Sequence, residues 1–119
     1  MLEELKQRVW QVAQAAMTEG LVHEMGGNFS IYDPESGYAM ITPSGVFRAV
    51  LKPEDILVVD LEGNVIEGDL KPSSETPMHL AVYRNRPDLR GVVHTHSTYA
   101  TTFAVLNRDI PFVVLETLF

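Results

Sequence analysis

Apolar side chains at Leu2, Leu5, Val9, Val12, Ala13, Ala16 and Met17 recur every three or four residues, the period of one helix face, and Gly20 offers the left-handed residue that closes a helix. An amphipathic helix over 2–18 is predicted. The pattern then changes to short runs of β-formers. Residues 29–32 and 38–41 flank Asp33-Pro34-Glu35-Ser36-Gly37, whose proline and glycine suit a turn, and residues 56–60 and 65–67 flank Glu62-Gly63-Asn64 in the same way. Two successive hairpins follow from this. Ser73-Ser74-Glu75-Thr76-Pro77 reads as a helix start, with serine as cap and proline in the first turn, and the helix should run to about Asn85 before Pro87. Gly91 to His96 has the β-branched character of a buried strand, a helical segment follows over 98–106, and residues 110–115 read as a further buried strand. Hairpins exclude a purely parallel sheet, so the expected architecture is a mainly antiparallel sheet covered by helices.

Composition narrows the function classes. The 119 residues suffice for one domain, with no repeat, linker or low-complexity tract. Sixteen acidic against nine basic side chains give a formal net charge of −7, a surface that repels a phosphodiester backbone, so nucleic acid is not an expected partner. The absence of cysteine excludes disulfides and thiol chemistry and suits a reducing cytoplasm. No apolar stretch approaches the ~20 residues of a membrane span, so a soluble protein is expected. The apolar stretch before Phe119 is unlike the polar, loosely held terminus of most domains and predicts that the chain stops within a larger architecture.

Three groups of residues could carry chemistry. In His94-Thr95-His96, residues two apart on a strand point to one face, so both imidazoles can meet one metal ion; spacing alone equally allows two buried histidines satisfied by backbone. Ser73-Ser74-Glu75 at a helix N-terminus combines hydroxyls with unpaired backbone N–H groups, a site for phosphate oxygens, although the same residues make an ordinary helix cap. The glycines of Gly26-Gly27-Asn28 and Ser44-Gly45 allow close backbone approach to an anion and are also the default turn residues. His23 and His79 read as core or surface histidines. His79 lies four residues after Glu75 on the predicted helix, which also admits a role orienting a neighbour of the site.

Taken together, Gly27-Asn28-Phe29-Ser30, Ile41-Thr42-Pro43-Ser44-Gly45, Lys71-Pro72-Ser73-Ser74-Glu75 and Val93-His94-Thr95-His96-Ser97 occur in the order and at about the intervals of the class II aldolase/adducin family, which the chain resembles over essentially its whole length, 1–119. The resemblance implies a three-layer α/β/α fold with a central, mainly antiparallel sheet, of which this chain is the N-terminal portion. It implies metal-dependent cleavage of a ketose phosphate to dihydroxyacetone phosphate and an aldehyde, with a divalent metal, usually Zn2+, and a homotetramer with sites between subunits. Carried over residue by residue, it makes His94 and His96 metal ligands, Glu75 the proton-transferring carboxylate, and Asn28, Ser44, Gly45, Ser73 and Ser74 the holders of the substrate phosphate. Without substrate, Glu75 is expected to be able to approach the metal beside the two histidines. The family's third metal histidine would lie beyond Phe119, and the position of its active-site tyrosine falls at Leu115 or Glu116. Two alternatives share these motifs: a sugar-phosphate 4-epimerase or dehydratase on the same scaffold, and a non-catalytic adducin-like interaction domain.

Overall fold

The computed structural model describes residues 1–112. The first helix, α1 (Leu2–Thr18), turns Val9, Ala13 and Ala16 inward as the 3.6-residue period requires. Trp10 Nε1–H donates to the Leu51 carbonyl at 2.7 Å and Gln14 Nε2–H to the Arg48 carbonyl at 2.7 Å, which ties the helix to the 44–52 segment. Trp10 therefore does more than fill space.

Strands β1 (Asn28–Asp33) and β2 (Tyr38–Ile41) form the first hairpin. The buried Asp33 carboxylate accepts the Glu35 and Ser36 amides, and Gly37 takes φ +77 to close the turn. Strands β3 (Leu57–Val59) and β4 (Val65–Glu67) form the second, with Asp60 accepting the Glu62 and Asn64 amides in the same manner. α2 (Thr76–Asn85) crosses to β5 (Gly91–His94), and α3 (Thr98–Val105) follows. All pairings are antiparallel, in the order β4-β3-β2-β1-β5.

Alternation along β2 and β3 divides the core into two layers. Met40 and Val58 face α1 with Val9, Ala13, Val22, Phe29, Leu51 and Ile56, whereas Ala39, Ile41, Leu57 and Val59 face Leu80 and Tyr83 of α2. The sheet is thus the middle of an α/β/α sandwich, as expected. Met40 is fully buried within this core, while Met25 and Met78 are exposed.

Three expectations need correction. The H-x-H strand ends at His94, so His96 lies just beyond it. α2 starts at Thr76 with Glu75 in the cap position; Ser73 Oγ accepts the Glu75 amide in a local turn instead of capping the helix. Residues 110–112 of the predicted last strand are exposed and not in a strand, and the rest of that segment, with Leu115 and Glu116, lies outside the described residues. Among the described residues no helix is long and apolar enough to cross a membrane.

Leu57 is fully buried between the sheet and α2. Leu57→Ala should lower the stability measured by urea denaturation by about 2–5 kcal/mol, the usual cost of such a cavity. A change under about 0.5 kcal/mol would contradict the sheet's central position.

Candidate active site

Backbone pairing assembles the site from four separate segments. Thr42 continues β2: its amide donates to the Phe29 carbonyl and its buried hydroxyl accepts the Phe29 amide at 3.1 Å. The Ser73 amide donates to the Thr42 carbonyl, the Ser44 amide to the Lys71 carbonyl, and Pro43 bridges Pro72, so 42–45 and 71–75 are zipped side by side. From the other side, the His96 amide donates to the Leu21 carbonyl at 3.0 Å and places the 21–27 loop against the end of β5. Gly27 makes this approach possible. It takes φ +69, and a Cβ there would stand 2.4 Å from Val22 Cγ1 and 2.7 Å from the His94 carbonyl oxygen.

The result is a cavity of about 180 Å³ lined by all eight residues singled out from the sequence: Asn28, Ser44, Gly45, Ser73, Ser74, Glu75, His94 and His96. A larger cavity of about 390 Å³ also touches Ser73 and Ser74 but is otherwise lined by residues such as Pro72, Leu80 and Arg84, so the residues singled out from the sequence gather in the smaller one. His94 and His96 have ring centroids 4.9 Å apart, and the β1–β5 register sets Asn28 opposite His94. Asn28 Oδ1 lies 3.2 Å from His94 Nδ1 and 2.6 Å from His79 Nε2.

The two imidazoles fit two positions of a metal site, since one nitrogen of His94 is occupied by Asn28 and the other stays available. They do not complete it. Among the described residues no three His, Cys, Asp or Glu side chains converge for a metal, so Glu75 is not poised as the third ligand. The helix N-terminus also contributes less than expected. The Ser73, Glu75 and Thr76 amides are engaged by Thr42, Ser73 Oγ and the Ser73 carbonyl, while the Ser74 and Gly45 amides make no intramolecular hydrogen bond among the described residues.

Sequence reasoning passed over Arg48 and gave His79 the wrong neighbour. Arg48, 2% exposed, lines the same cavity and donates to the carbonyls of Val46, Met25 and Gly27. Among the described residues its Nε is the one buried side-chain nitrogen or oxygen with no partner and no carboxylate is hydrogen-bonded to its guanidinium, which burial pushes below the ordinary value. A lone arginine in an acidic chain gives no sequence signal of this kind. His79, expected as a core or surface histidine or as an orienter of a neighbour through Glu75, is fully buried with both ring nitrogens hydrogen-bonded, to Ser30 and to Asn28. The signal available was its i+4 spacing from Glu75, which pointed to the wrong neighbour.

With this geometry in place, the comparisons give the class. The model for the class II aldolase and adducin N-terminal domain matches residues 7–118, and the chain belongs to that family. The 5-deoxy-D-ribulose 1-phosphate aldolase of Bacillus thuringiensis serovar kurstaki is 42% identical over 113 residues, 95% of this chain and 53% of that protein. A solved L-fuculose 1-phosphate aldolase superposes with a TM-score of 0.86 at 39% identity, covering 92% of this chain and 51% of the other. The L-fuculose-1-phosphate aldolase of Thermus thermophilus gives 0.72 at 37% identity, covering 88% and 52%. The chain spans about half the length of these relatives.

Burial, and secondarily the charge of His94, hold the His79 imidazolium at a pKa of about 4, below the ordinary 6.5. As pH falls, the unfolded chain takes up this proton first. The stability contributed by neutral His79 is complete above pH 6.5 and is lost between 6.5 and about 4, by up to about 1.4 kcal/mol per pH unit. Urea denaturation from pH 7.5 to 4.5 should show this loss in the parent and a shallower slope in His79→Gln; parallel slopes would refute it.

Proposed function

We propose that the protein is a metal-dependent aldolase that cleaves a ketose 1-phosphate to dihydroxyacetone phosphate and an aldehyde. The observation that carries this reading is the convergence of all eight candidate residues, two imidazoles and three hydroxyls among them, on one cavity. The relatives named above are aldolases of sugar 1-phosphates by name, and the substrate class is taken from them.

The phosphate is held by the Ser44, Ser73 and Ser74 hydroxyls, the Gly45 and Ser74 amides and the Asn28 amide group, in a cavity that Arg48 lines with a buried positive charge. This supplies the charge complement that serines alone lack, and a negative overall charge is no obstacle to it. His94 and His96 hold a divalent metal, zinc by preference for imidazole, together with a ligand from outside the described residues. When bound, the metal acts as a Lewis acid on the substrate oxygens. As the carbon–carbon bond breaks, its electron pair passes to the phosphate-bearing fragment and the aldehyde-forming hydroxyl gives its proton to solvent water, from which Glu75 is reprotonated after each turnover. Glu75, on the cavity wall, delivers a proton to the carbon that received the pair, and removes it in the condensation direction. A homotetramer with the site between subunits, in the cytoplasm, completes the reading; it is consistent with the incomplete ligand set and the exposed Tyr99, Val105 and Phe112.

Elemental analysis should find near-stoichiometric zinc in the parent and none in the His94→Ala/His96→Ala double variant; equal content in both overturns the metal assignment. Assays following dihydroxyacetone phosphate release from L-fuculose 1-phosphate and 5-deoxyribulose 1-phosphate should show Glu75→Gln lowering kcat about 10²-fold or more at unchanged zinc content. An unchanged kcat removes Glu75 from the proton-transfer role.

A further inference from the structure

A continuous buried hydrogen-bond chain runs from α2 through β1 to β5. Tyr83 Oη lies 2.6 Å from Ser30 Oγ, Ser30 Oγ 2.6 Å from His79 Nδ1, His79 Nε2 2.6 Å from Asn28 Oδ1, and Asn28 Oδ1 3.2 Å from His94 Nδ1. Such a chain has two self-consistent polarities, because hydroxyls, imidazoles and a primary amide can each be turned to donate in either direction. In the first, Tyr83 donates to Ser30, Ser30 to His79, and both His79 and His94 donate to the Asn28 oxygen. In the second, every bond is reversed and the Asn28 amide group faces inward.

The Tyr83 end decides between them. Its hydroxyl, in a residue 2% exposed, has Ser30 as its one hydrogen-bond partner among the described residues. With the second polarity a buried phenolic proton would have no acceptor among the described residues, a cost on the order of 1–3 kcal/mol; with the first it is satisfied by Ser30. The first polarity also agrees with the opening side. Asn28 Nδ2 makes none of these bonds and is not among the buried unpartnered atoms, so it opens on the cavity.

We propose that His79 is a positioning residue that carries the polarity set at Tyr83 to the active site, presenting the Asn28 amide group to the anion and fixing His94 as the Nδ1–H tautomer with Nε2 free for a metal. This rests on the reading of Asn28 and His94 given above. Asparagine and histidine alone could not enforce it: the Asn28 amide can flip and the His94 proton can sit on either nitrogen, and each would then offer the wrong group to its ligand. The buried His79, held from behind by Ser30, removes both freedoms at once. It touches neither ligand itself.

The test separates the relay from the assigned function. Long-range 1H–15N correlation on the metal-free chain at pH 7.5 reads each imidazole's tautomer directly. The expected result is His79 protonated on Nε2 and His94 on Nδ1; His79 protonated on Nδ1 overturns the proposal whatever the variants do. In His79→Gln the amide nitrogen can still donate to Asn28, so His94 should keep its tautomer and zinc affinity should stay within about threefold of the parent. In His79→Asn the shorter side chain reaches Ser30 and not Asn28; His94 should then show mixed tautomers, with zinc and inorganic phosphate affinities lowered about tenfold or more. A pure His94 Nδ1–H tautomer and parental affinities in folded His79→Asn would overturn the proposal. If that variant does not fold, Tyr83→Phe serves, since losing the donor should produce mixed tautomers at His79 and unchanged tautomers would refute the relay. A parent with the expected tautomers but no affinity for zinc would sink the functional reading and leave the relay standing.

Discussion

The antiparallel pairing of β1 with β5 is the constraint on which the rest depends, because its register sets Asn28 directly opposite His94. Side chains opposite each other on one face of a sheet stand close enough to interact, and a one-residue slip would turn one of them to the other face. That slip is opposed from both layers. Phe29 belongs to the core against α1, while Asn28 and Ser30 meet His79 and Tyr83 of α2 on the other side. The apolar face fixes the register energetically, and the polar face uses it.

The placement of polar groups follows from this division. A buried histidine, serine and tyrosine would each be costly alone, yet linked in series they are satisfied by one another and by Asn28. Arg48 solves the same problem differently, donating to three carbonyls of the loops that wall the cavity while no carboxylate among the described residues is hydrogen-bonded to it. A buried cation of this kind is costly unless something anionic shares its environment. The cavity thus has polar atoms held rigid from behind and a charge left over at its wall.

Membership of the class II aldolase and adducin family accounts for the architecture. The outward side of β5 and α3 is a different matter: Val93, Tyr99, Val105 and Phe112 are exposed, and the relatives are about twice as long as the chain. The candidate site holds two imidazoles, and among the described residues no third His, Cys, Asp or Glu side chain converges with them. Asn28, Ser73 and His79 nonetheless draw hydrogen-bond partners from within these residues.

Periodicity in the sequence was enough to place α1, both hairpins, α2 and β5, because each rests on local patterns of burial and on turn residues such as Asp33-Gly37 and Asp60-Asn64. The motifs were enough to name the eight cavity residues, since family resemblance preserves the order of chemistry-bearing groups along the chain. What only the tertiary structure decided is which polar groups are already spent. The Ser73 and Thr76 amides look free in the sequence and are consumed by Thr42 and Ser73; Arg48 looks like a surface charge and is buried; His79 looks like packing and links Ser30 to Asn28. Hydrogen-bond partners in these cases lie up to about fifty positions away, as with His79 and Asn28 at a separation of 51, and a pairing at that distance exists only once the sheet has set the register.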